Sequence, residues 1–171
     1  MRRILLLITV AAMMAAMLAT MADSAAATKP LVEEGTITPD EPVVIGDCGD
    51  FQVLDDFVLN FSAKLFFNEN GELVRVVEQI RGTDTFINSE TGKEFTSRFQ
   101  NTEHIDLTEE PERAVTGVQG LLTVPGSGAV LLNVGRIVTN LETDEVTFQA
   151  GPHQLVEGDL AGLCEALAPL E

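Results

Sequence analysis

The sequence predicts an all-β domain: an antiparallel up-and-down barrel of about eight strands with a short C-terminal helix, a β-sandwich being the alternative. Three observations predict it. Apolar and polar residues alternate with period two over long stretches, short turn-forming segments join those stretches in meander order, and no helical period appears before residue 159. Closure into a barrel removes the exposed edges that so many consecutive strands would otherwise leave.

The first long strand covers residues 57–67. Phe57, Leu59, Phe61, Ala63, Leu65 and Phe67 share one face, and Asn60, Ser62 and Lys64 share the other. Asn68-Glu69-Asn70-Gly71 follows, and Asn-Gly signals a hairpin because both residues tolerate positive φ. The return strand, 72–82, places Val74, Val76, Glu78 and Ile80 on one face. A second hairpin pairs 83–88 with 93–99, and a third pairs 129–140 with 145–150. Residues 103–107 and 114–124 are further strands, and Pro125-Gly126-Ser127-Gly128 leads into the third hairpin. The turns look alike while the strands do not repeat, which indicates shared turn chemistry rather than duplication. At the end, Asp159 is placed to cap a helix whose Leu160, Leu163, Cys164 and Leu167 share a face.

Residues 1–27 read as a secretory signal peptide: Arg2 and Arg3, an uncharged apolar run from Ile4 to Ala19, then small residues suited to cleavage after Ala22 or Ala27. The run falls short of the roughly 20 residues that span a bilayer, so no stable membrane anchor is expected after cleavage. The expected location is outside the cell. Residues 28–46 carry three prolines and four acids without sustained periodicity and read as a flexible linker. The domain is 47–171.

Removing residues 1–27 takes away Arg2, Arg3 and Asp23, so the formal charge moves from −17 to −18. Such a chain repels phosphate backbones, and nucleic-acid binding is disfavoured. Cys48 and Cys164 are the two cysteines. Export favours a disulfide between them, two free buried thiols being the alternative.

The arrangement of a Cys ahead of a long strand, hairpins with N-x-x-T-G turns, Gly135-Arg136 in an apolar strand, Gly151-Pro152-His153, and a last segment D-L-x-x-L-C-x-x-L from Asp159 to Leu167 resembles a group of small secreted actinobacterial-type proteins. It covers residues 48–171. That group is similar at fold level to lipocalin-like and allene oxide cyclase-like barrels. The resemblance implies a barrel with an interior able to hold a ligand and assigns no chemistry to any residue.

No catalytic motif stands out. Gly126-Ser127-Gly128 is a turn rather than a nucleophile elbow, and neither a phosphate-binding loop nor a dinucleotide fingerprint occurs. His104 alternates with Asp106 but lacks a third metal ligand, and the acids around Asp47, Asp50, Asp55 and Asp56 lack calcium-loop spacing. No cofactor is expected. Arg136 shares strand parity with Val130, Leu132, Val134 and Val138, and Glu78 lies among Val and Ile, so the two are expected to face inward and pair. The candidate ligand-binding residues are Arg136, Glu78, Phe57, Phe61, Leu65 and Phe67. They fit a non-catalytic protein that binds a small apolar ligand. A packed interaction protein of the envelope or extracellular space is the alternative, and a barrel isomerase or cyclase is a second one.

Overall fold

A computed structural model describes residues 29–169, so the segment read as a signal peptide lies outside the described residues. Eight antiparallel strands form one sheet: β1 (Leu31–Ile37), β2 (Val43–Asp47), β3 (Gln52–Phe67), β4 (Leu73–Asn88), β5 (Glu94–Asp106), β6 (Glu112–Val124), β7 (Gly128–Asn140) and β8 (Val146–Ala150). Two short helices follow, α1 (Gln154–Glu157) and α2 (Ala161–Leu167). The order is β1-β3-β4-β5-β6-β7-β8, with β2 also on β3, and the pairing path is open rather than closed into a ring.

Eight strands were expected, but their membership differs. Residues 73–88 form one continuous strand and not two, as do 94–106. Gly82 lies inside β4 because a Cβ there would meet the Val58 carbonyl oxygen at 2.3 Å, a close approach that only glycine permits. The segment read as a flexible linker supplies β1 and β2, which share the long edge of β3 between Leu65 and Leu59 and between Asp55 and Gln52. Its prolines, Pro30, Pro39 and Pro42, fall just outside the strands, where no ladder amide is lost.

The three look-alike turns share one device. The side-chain oxygens of Asn68, Asn88 and Asn140 each accept backbone N–H groups two to four residues ahead, at 2.8–3.0 Å. Asn88 also donates to the Leu167 carbonyl (3.1 Å), tying one turn to the end of α2.

One sheet face carries the core and is called inner here. Phe51, Val53, Phe86, Leu122, Val130 and Leu131 meet Leu163 and Leu167 of α2 at one end. Ala63, Leu65 and Val76 form a smaller cluster at the other. The Cys48–Cys164 disulfide joins the β2–β3 turn to α2, with Cα atoms 5.6 Å apart. Leu160 caps α2 and lies against Gly46, and Asp159 one residue earlier accepts the Ala161 N–H at 3.3 Å.

Candidate functional site: the inner face of the sheet

Between the two apolar ends, the inner face has a middle whose apolar side chains stay partly exposed. Odd residues of β3 and β5 and even residues of β4 face inward, as the alternation demands. This brings Phe57, Leu59, Phe61, Ile80 and Phe99 to one stretch of the face, and all five remain partly exposed. Two of the rings lie along the sheet. Phe99 covers Gly82, where an added Cβ would meet its ring at 2.5 Å, and Phe61 covers Gly35 in the same manner at 2.6 Å. Gly117 and Gly135 pair in the row of Phe61, Ile80 and Asn101, so β6 and β7 project no side chain there.

Polar groups line this middle, and several lack partners. Asp55 Oδ1, Asn101 Oδ1, Gln119 Nε2 and Asn133 Oδ1 are buried without a hydrogen bond, although Asn133 Nδ2 reaches Gln119 Oε1 at 3.3 Å. Asp84 is only 8% exposed and makes no hydrogen bond or ion pair. Its neighbour on β5, Ser97, donates to the Leu121 carbonyl at 2.6 Å, and its neighbour on β3 is Phe57. Burial, with Asp56 close by, pushes the Asp55 carboxyl up to about 7, and burial beside Asp55 pushes Asp84 up to about 8.

A second polar group sits toward the other end. Arg113 holds Glu103 through two nitrogens, Nε to Oε2 at 2.7 Å and Nη2 to Oε1 at 2.5 Å. Glu78, opposite Glu103 in the ladder, is raised to about 7 by burial and by Glu103, against the pull of Arg113.

The residues singled out from sequence divide accordingly. Phe57 and Phe61 line the open middle, whereas Leu65 and Phe67 belong to the packed end cluster. Glu78 faces inward as expected. Arg136 does not: it is exposed on the outer face, its guanidinium 6.0 Å from the Phe148 ring. The cause is a register shift at Val130, where Leu122 pairs Leu131 but Thr123 pairs Ala129. Val130 and Leu131 both enter the core, and from there the odd residues Asn133 and Ile137 face in. The expected Arg136–Glu78 pair is therefore replaced by Arg113–Glu103, with Glu78 alongside.

Asp84 escaped the sequence reading, although it alternates with Phe86 in a predicted strand, and Asp55 was weighed only as part of an acidic cluster because the first strand, expected at 57–67, begins at Gln52. His104 is exposed, and Asp106 accepts from Thr108 N and Oγ1 at 2.9 and 2.6 Å. His153 is fully buried at the start of α1, with Nε2 3.3 Å from the Ala150 carbonyl. Among the described residues, no three His, Cys, Asp or Glu side chains group to hold a metal ion. The outer face carries a groove of about 610 Å³ that includes Glu34, Thr36, Asn60 and Ser62, whose side chains bond to one another. No family model, no curated protein and no solved structure matches the chain.

Proposed function

We propose that this is a secreted, non-catalytic protein that binds a small, largely apolar molecule on the inner face of its sheet, in the manner of lipocalin-like and allene oxide cyclase-like barrels. The observation that carries the reading is the partly exposed middle formed by Phe57, Leu59, Phe61, Ile80 and Phe99. Apolar area left open on a face that packs a core at both ends is the usual lining of a ligand site, and a few buried polar groups without partners orient what enters. The disulfide suits an oxidising location.

Native mass spectrometry of protein purified from its own culture medium tests this, together with titration of an environment-sensitive apolar dye. The chain has no Trp and no Tyr, so intrinsic fluorescence does not interfere. The expected results are an adduct mass and dye enhancement that alkyl compounds reverse and Phe61→Asp abolishes. A bare polypeptide mass with no dye response overturns the reading.

A second reading, an interaction protein, is favoured by one observation. β8 pairs only with β7, and its Val146 and Phe148 are exposed, which suits strand addition by a partner.

A further inference from the structure

We infer that the molecule bound on the inner face carries a cationic ammonium group, primary or methylated, that seats against Asp55 and Asp84. This rests on the binding reading above and narrows its ligand class.

The β3–β4 register opposes Asp55 to Phe86 and Phe57 to Asp84, so two acids and two phenylalanines alternate like squares on a board. The ring of Phe99 lies over Gly82, the next inward position along β4. Carboxylates set among aromatic faces are the chemistry that recognises ammonium groups, through charge and through the ring quadrupole. What is missing is the cation. Arg113 is the one basic side chain in an ion pair among the described residues, and its partner is Glu103. Lys64, Arg75, Arg81, Arg98 and Arg136 alternate with the inward residues of their strands and are exposed, and the half-buried Lys93 is turned to the Ala168 carbonyl (2.7 Å) and the Phe95 ring rather than to either acid.

The acids also lack neutral donors. Asp84 is more than nine-tenths buried with no partner, Asp55 Oδ1 is buried with no partner, and the Ser97 hydroxyl is turned to Leu121. Further along the same face, Asn101 and Asn133 each leave a buried oxygen unbonded. The open demand is thus mostly for donors, and an ammonium is all donor and no acceptor. Above about pH 8 both acids are ionised when the site is empty, and they repel each other. An ammonium between them removes that repulsion.

The test compares decyltrimethylammonium with decanoate, both below micelle-forming concentration, by calorimetry at about pH 8.5, where both aspartates are charged. The wild-type protein is set beside Asp84→Asn, Asp55→Asn and Glu69→Gln. Glu69 is exposed in the β3–β4 turn, at the far end of both strands from Asp55 and Asp84, so its variant makes the same change in net charge away from the site. The expected result is preference for the cation, weakened about tenfold or more by Asp84→Asn or Asp55→Asn and left within about twofold by Glu69→Gln. Equal weakening by all three variants means attraction to a generally acidic surface and overturns the inference. Equal binding of decanoate also overturns it while leaving the binding reading intact. Binding of neither overturns the binding reading itself.

Discussion

The Arg113 guanidinium grips the Glu103 carboxylate diagonally across β5 and β6, since Glu103 lies opposite Val115 and Arg113 opposite Ile105. Glu103 is almost fully buried, whereas about a third of Arg113 reaches the surface. Removing the arginine strands a buried carboxylate beside Glu78. Arg113→Ala is expected to lose roughly 2–4 kcal/mol, the range being reduced because Arg113 is partly solvated. Arg113→Met with Glu103→Leu should recover most of that. Arg136→Ala, on the outer face, should change stability by less than about 0.5 kcal/mol. Urea unfolding of the four proteins checks all of this, and a large effect at Arg136 would contradict its placement.

Stability should fall as pH rises from about 4 to about 8. The folded pKa values of Asp55 and Asp84, about 7 and about 8, stand above the ordinary carboxylate value of 3.8. Below that ordinary value, folded and unfolded chains both hold the protons, and the contribution is fully present. Between it and the folded values only the folded chain holds them, so each rise in pH subtracts stability until the folded acids ionise. The pair is expected to remove on the order of 2–4 kcal/mol, at most about 1.4 kcal/mol per pH unit for each group. Asp84→Asn should flatten the curve and be more stable than wild type at pH 8. Thermal melts across the range decide it, and a flat wild-type curve would rule out the raised values.

Reduction of the Cys48–Cys164 bond frees a loop whose ends are 116 residues apart. Chain-entropy reasoning assigns such a loop roughly 4–5 kcal/mol. The double change Cys48→Ser with Cys164→Ser should lower the melting temperature substantially. Hydrogen exchange should show α2 loosening before the centre of β4, because α2 loses its covalent tie while β4 keeps both neighbouring strands.

Gly135→Ala should detach β8. A Cβ at this position would lie 2.0 Å from the Ala150 carbonyl oxygen, and φ is +133°, which an alanine rarely adopts. A loss of about 2 kcal/mol or more is expected. Faster proteolysis within residues 141–152, with β4 and β5 still protected from exchange, is the signature. Unchanged cleavage would show that β8 does not depend on this approach.

Much of the fold was legible because strand alternation follows from backbone geometry alone. Phe57, Leu59, Phe61, Ala63 and Leu65 face inward as their spacing requires. The three asparagine turns were equally plain, since Asn at a strand end has a local role independent of tertiary packing. What escaped depends on long-range pairing. β1 and β2 have little pattern of their own and become strands because β3 is long enough to offer both a place. The side of Arg136 turned on a one-residue shift at Val130, which no composition rule marks. Asp84 was readable by parity and Asp55 was hidden by a first strand expected to begin at 57, but the cost of their isolation appears only once Phe57, Phe86 and Ser97 are seen around them.

Cys48 and Cys164 also make the chain from β3 to α2 a covalent circuit that passes through six consecutive strands. One backbone cut inside a circuit opens it without dividing the molecule. A protease that enters the exposed Asn70-Gly71 turn or the exposed 141–144 turn leaves two segments still joined through sulfur and still interleaved in one sheet. Each segment then faces the other at the high effective concentration of a tethered partner, so the nicked protein can stay assembled. Such material would run as one band without reductant and as two with it. In oxidising surroundings that contain proteases, dismantling this protein takes either a second cut or a reductant.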